Sequence, residues 1–205
     1  MCFKKAVAKS SGFSRIFAFG LMIFSGAGLI NLCTVCAETT DELQGPPVAQ
    51  SHIFGIDPCH QSPNVDISDR EPVGPGSTEM KAEASTGTQG TFSGLPEYQL
   101  NLDVSLKLQQ ILEDRGYQTV LTRTDNDTAI SNKERAEYVA GQGAEVYVRI
   151  HANGAESSSA AGALTISPSS SNPYVSQLYD DSNSLSQCIL DAYCDATGFE
   201  NRGVT

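Results

Sequence analysis

Two imidazoles and one carboxylate stand out in a chain that has only three histidines. His60 follows a short apolar run, Ile53 to Asp57, and the pair Pro58-Cys59. His151 closes a second run, Val146 to Ile150, and precedes Ala152-Asn153. Histidines at the carboxyl ends of two strands can share one rim of an α/β sheet, where such sheets form their sites. Glu97 comes three residues before Leu100 and seven before Val104, so it shares their buried helical stripe. A carboxylate on an apolar face needs a partner, because an unpaired buried charge is costly. A cation supplies one. Two imidazoles and a carboxylate form a zinc set used in hydrolysis, with the fourth position left for water. Bound zinc lowers that water's pKa to about 7 and polarises a carbonyl. Spacing alone leaves simpler readings level with this one. A strand-end His is as readily a hydrogen-bonded rim residue, and Glu97 in a first turn can merely complement the helix dipole. The gaps match no compact motif such as HExxH, and neither a GxSxG elbow nor a Walker loop occurs.

The elements that must position these residues follow from periodicity. Ile53 to Asp57 reads as a strand stopped by Pro58. Gln61 to Gly94 is polar and long, and loops of that length are usually functional or disordered. Pro96 opens a helix carrying Leu100, Val104, Leu108, Ile111 and Leu112, which stops at Gly116. Gln118 to Leu121 is a strand and Asp125 to Thr128 a turn. Ser131 to Glu134 is a capping box for a helix that runs to about Ala140. Strands follow at Glu145 to Ile150 and Gly162 to Ser167, then a Ser-rich loop and a helix from about Ser182 to Thr197. Such alternation indicates an α/β sandwich with a mixed, largely parallel sheet flanked by helices on both faces.

The 205 residues suit one domain and show no internal repeat. A net charge of −11 argues against nucleic acid, whose phosphates need Lys and Arg, and against charge-driven binding to an anionic membrane. The N-terminus has the order of a secretory signal. Lys4, Lys5, Lys9 and Arg15 precede an apolar run from Ile16 to Leu32, and Val35 and Ala37 suit cleavage after Ala37. The rival is an uncleaved anchor, but the run is near the lower limit for a bilayer and contains Gly20, Gly26, Gly28 and Asn31. The expected organisation is a signal over 1–37, a polar linker over 38–52 and a domain over 53–205. Loss of four cations and no acid takes the charge from −11 to −15. Cys59, Cys188 and Cys194 remain, enough for at most one internal disulfide.

Several segments together resemble the zinc-dependent N-acetylmuramoyl-L-alanine amidases, which hydrolyse peptidoglycan. Ile56-Asp57-Pro58-Cys59-His60-Gln61 is similar to the family's first ligand segment. Glu97 leading into Leu100-Asn101-Leu102 resembles its second, and Arg149-Ile150-His151-Ala152-Asn153 its third. Gly116-Tyr117, Leu121-Thr122-Arg123, the helix with Arg135, and Asn201-Arg202-Gly203-Val204 follow in the family's order. The resemblance implies that His60, Glu97 and His151 bind Zn2+. It implies cleavage of the amide between N-acetylmuramic acid and L-alanine, with peptidoglycan as partner at a secreted or cell-wall location. Asn153 would orient substrate or close a turn.

Two departures carry weight. The family usually has Gly where Cys59 stands, and Gly tolerates backbone angles that Cys does not; a thiolate there could also compete for the metal. The family's general-base Glu, with its strand and a final helix, would lie beyond Thr205. Without them the sheet keeps an open edge and stability is expected to be low. Glu71, Glu79 and Glu83 lie in the long loop, which would border a substrate groove or form a flap. The alternatives are therefore a non-catalytic peptidoglycan-binding protein and a zinc peptidase of wall stem peptides.

Overall fold

The computed structural model describes the backbone of residues 16–24, together with residues 52–155, 157 and 160–205. The basic start, the cleavage point and nearly all of the expected linker lie outside them. Among the described residues the strands are β1 (Ile16–Phe24), β2 (Ile53–Pro58), β3 (Arg70–Pro72), β4 (Met80–Ala82), β5 (Gln118–Leu121), β6 (Val146–His151), β7 (Gly162–Ile166) and β8 (Asn201–Val204). The helices are α1 (Glu97–Asp114), α2 (Asn132–Gly141) and α3 (Tyr179–Thr197).

Six strands form one sheet in the order β5-β2-β6-β1-β7-β8. All neighbours are parallel except β1 and β7. The mixed, largely parallel sheet read from the sequence is therefore present. Strand alternation sends successive side chains to opposite faces. Ile56, Leu121 and Ile150 face α1 and meet Val104, Leu108 and Leu112. Tyr147 packs with Val139 of α2, Ala144, Ile53 and Val120 on the other face. A Cβ at Gly55 would collide with Val139, so glycine lets α2 sit directly on β2. Ile111, expected in the α1 stripe, is 43% exposed, because the packed line runs through Val104, Leu108 and Leu112 at intervals of four and leaves Ile111 to one side.

The α2 capping box is formed: Ser131 Oγ accepts from Glu134 N, and the Glu134 carboxylate accepts from Ser131 N. Helix α3 begins three residues earlier than expected and stops at Gly198, whose φ is 71°. It packs on β1, β7 and β8.

Three elements differ from the sequence reading. Ile16–Phe24, expected within a targeting segment, is placed as a strand between β6 and β7. Its Ile and Phe content suits a strand, and short apolar runs are ambiguous by periodicity. Asn201–Val204, which the sequence pattern assigned to no strand, pairs with β7. The loop after His60 contains a small hairpin, β3 with β4, too short to show a period. Cys59 and Cys194 are free thiols, so no disulfide joins Cys59, Cys188 and Cys194 to one another.

Candidate functional site

Strands β2 and β6 are parallel neighbours, so their carboxyl ends open on the same rim, and the first turn of α1 reaches it. His60, Glu97 and His151 converge there. His60 Nε2 is 3.1 Å from His151 Nδ1, and Glu97 Oε1 is 3.2 Å from each of these nitrogens. Zinc bonds of about 2.0 Å in a tetrahedron place neighbouring ligand atoms about 3.3 Å apart. The triangle therefore has the edge length such an ion requires, and its three atoms are two imidazole nitrogens and a carboxylate oxygen.

His60 and Glu97 are held from behind. His60 Nδ1 lies 3.0 Å from the Ser85 carbonyl and 2.9 Å from Ser85 Oγ, which leaves Nε2 for the rim. Thr88 donates to Glu97 Oε2 from both N and Oγ1, at 2.9 Å each. Ala152 N donates to Glu97 Oε1 at 2.9 Å. Partners of this kind fix the orientation and tautomer of metal ligands. Glu97 is 3% exposed. Burial would raise its pKa, but hydrogen bonds with His151, His60 and Thr88 N hold the carboxyl well below the usual range. Burial likewise opposes charge on His151, yet hydrogen bonds to Cys59 and Glu97 raise it to about 9.

Gly87 lies over two of these groups with φ +73°. A Cβ there would stand 2.7 Å from the His60 ring and 2.8 Å from Glu97 Oε2. The long polar loop thus borders the site through Ser85, Gly87 and Thr88, none of which the sequence singled out. Glu71 is not a solvated loop carboxylate. It is buried, pairs with Lys81 Nζ at 2.8 Å and accepts from Lys133 N at 2.8 Å. Neither it nor Glu79 or Glu83 lines the pocket, and no lining residue is a carboxylate among the described residues. Asn153, half-buried two residues past His151, is not a lining residue either.

The floor of the rim is a buried charge network centred on Asp57. This carboxylate is fully buried and accepts from Arg135 (2.6 Å), Thr122 Oγ1 (2.6 Å) and Tyr147 Oη (2.7 Å), and pairs with Arg149 Nε at 2.8 Å. Burial would raise its pKa, but the two guanidinium charges and both hydroxyls hold it far below the carboxylate range. Arg123 donates to the Pro58 carbonyl at 2.7 Å and to the Tyr98 carbonyl at 2.6 Å, tying the end of β2 to α1. Asn101 Nδ2 donates to the Cys59 carbonyl at 3.0 Å. The segments around Asn101, Thr122-Arg123, Arg135 and Arg149 are therefore the frame beneath the triangle.

The backbone cost anticipated at Cys59 falls one residue later. Among the described non-glycine residues His60 alone has a positive φ, 69°. Histidine enters this region more readily than most residues, and strain of this kind gathers at functional sites.

A family described as N-acetylmuramoyl-L-alanine amidase matches residues 55–205. The chain belongs to this family. It is 33% identical over 176 residues to the N-acetylmuramoyl-L-alanine amidase LytC of Bacillus subtilis (strain 168), covering 85% of this chain but 29% of that relative. The catalytic domain of CwlV, N-acetylmuramoyl-L-alanine amidase from Bacillus (Paenibacillus) polymyxa, superposes with a TM-score of 0.55 at 25% identity. The N-acetylmuramoyl-L-alanine amidase from Clostridium difficile 630 gives 0.56 at 25% identity. Each match covers 75% of this chain and 68% of the other. The matched residues contain the triangle, its supports and the Asp57 network.

Proposed function

We propose that this chain is a zinc-dependent peptidoglycan hydrolase acting on the amide between N-acetylmuramic acid and L-alanine. One observation carries the reading: the His60–Glu97–His151 triangle, with edges of 3.1 to 3.2 Å, in a chain of this family. His60 Nε2, Glu97 Oε1 and His151 Nδ1 would hold the ion. When bound, zinc supplies a Lewis acid for the amide carbonyl and a water acidified to a pKa of about 7. The chain's own residues do the positioning. Ser85 fixes the His60 tautomer, and Thr88 turns Oε1 of Glu97 towards the imidazoles. Asn153, two residues past His151, would orient substrate or close the turn. A cell-wall location fits this substrate, and N-terminal sequencing of the secreted protein decides between cleavage after Ala37, which would remove β1, and retention of that strand in the sheet.

The activity is tested by incubating the full chain with purified peptidoglycan and analysing products. Intact stem peptides freed from glycan support the amidase. Cuts within stem peptides would instead indicate a peptidase. Zinc content supplies a separate test, because His60→Ala and His151→Ala should each lose the ion, and unchanged stoichiometric zinc in both would refute the site.

The second reading is a non-catalytic peptidoglycan-binding protein that keeps its metal. Sedimentation with insoluble peptidoglycan without product release would select it.

A further inference from the structure

Cys59 is a side chain that the amidase reading leaves unused. It is 4% exposed, carries a free thiol and lines the same pocket as His60 and His151. Its sulfur lies within 4.8 Å of a ring nitrogen of each imidazole. Two sulfur–nitrogen distances of this size do not describe an isolated buried cysteine. Around one ion, a zinc–sulfur bond of about 2.3 Å and a zinc–nitrogen bond of about 2.0 Å leave sulfur and nitrogen roughly 3.5 Å apart. Bringing the sulfur to that distance from the two imidazoles takes a side-chain shift on the order of 1 Å.

The surroundings suit a thiolate. Arg149 Nη2 donates to Cys59 Sγ at 2.7 Å, and Asp57 balances that guanidinium from behind. The backbone at Cys59 needs no positive φ, so a side chain is accommodated here without conformational cost.

We propose that Cys59 is a fourth protein ligand of the metal centre, completing a Cys59/His60/Glu97/His151 set for a thiophilic divalent cation of the zinc class. This inference rests on the metal reading given above. A thiolate shifts the preference of the centre towards soft cations. Four protein ligands also make a closed coordination shell, whereas hydrolysis needs an open position. With Cys59 bound, its sulfur would occupy the place that a hydrolytic water needs.

Cobalt substitution of the full chain tests this without measuring activity. The metal-free protein is loaded with Co(II), bound cobalt is counted, and the near-ultraviolet spectrum is read for the intense sulfur-to-cobalt charge-transfer band. Wild type should bind one cobalt and show the band. Cys59→Ser and Cys59→Gly should bind cobalt and lack it. X-ray absorption on the wild type, which needs no variant to fold, should show one sulfur at about 2.3 Å. Bound cobalt without the band or the sulfur shell would overturn the Cys59 role while leaving the metal site intact. A band that persists in both variants would overturn it too. Failure of wild type to bind cobalt would overturn both readings together.

Discussion

Replacing Asp57 with Asn isolates the charge that supports the rim. The side chains have nearly the same shape, so packing is retained while the negative charge is lost. Asp57 is fully buried, Arg135 is 1% exposed, and the contacts to Arg135 and Arg149 measure 2.6 and 2.8 Å. At an effective dielectric constant of about 20, each contact is worth roughly 6 kcal/mol before desolvation is counted. Removing one partner from such a buried cluster, and leaving the cations uncompensated, costs about 3–5 kcal/mol. The Asn amide also faces donors with hydrogens of its own, so one of the Thr122, Tyr147 and guanidinium contacts must turn away.

Urea unfolding followed by circular dichroism should show this loss. In a chain of this size it corresponds to a Tm lower by about 6–20 °C. The pH dependence supplies a second reading. Asp57 titrates below its ordinary value of 3.8 in the folded chain. Its contribution is therefore fully present above 3.8 and is lost as pH falls through the lower folded value. Wild type and Asp57→Asn should differ by a constant amount between pH 5 and 7, and converge only below about pH 4. A difference under about 1 kcal/mol at neutral pH would refute the view that this charge network supports the fold.

Three further outcomes are expected. Thr88→Val removes one of the two donors to Glu97 Oε2, and should weaken zinc affinity by about 10–100-fold with the fold unchanged, as read by chelator competition. Gly87→Ala forces a Cβ against His60 and Glu97 at a φ of +73°, and should cost about 1–2 kcal/mol in thermal unfolding and lower metal occupancy. Metal loading at pH 7.5 should release about one proton from His151, which titrates near 9 without metal but must be neutral to bind it. Calorimetry in two buffers of different ionisation enthalpy measures that proton; for the metal-free chain, the same shift gives stability present below pH 6.5 and lost as pH rises through about 9.

The parts of the fold legible in the sequence are those with a strong local signal. Pro96 and Gly116 bracket α1, the Ser131–Glu134 box starts α2, and the apolar runs of β2, β5 and β6 are bounded by breakers. The three rim residues were legible because two follow such runs and the third interrupts an apolar stripe. Asp57 was not, because a polar residue at a strand end looks solvated until α2 and β6 supply its cations. Ser85, Gly87 and Thr88 were hidden for a different reason. Their contacts depend on the path of a long loop, which no periodic pattern records. The placement of β1 was illegible because an apolar run of that kind satisfies a membrane signal and a central strand equally well.

The side chains that build and brace the rim come from β2, β5, β6, α1, α2 and the loop after His60. Strands β7 and β8 lie on the far side of β1, and helix α3 packs over all three. This layout divides the molecule into a half whose sequence is tied to the ligand geometry and a half free to drift. Substitutions in β7, α3 and β8 reach the triangle only through the sheet, so they alter how firmly the domain holds together before they alter what it binds. Random mutagenesis scored separately for solubility and for metal content should divide along that line, and the distal half offers the safer place for grafted loops or tags.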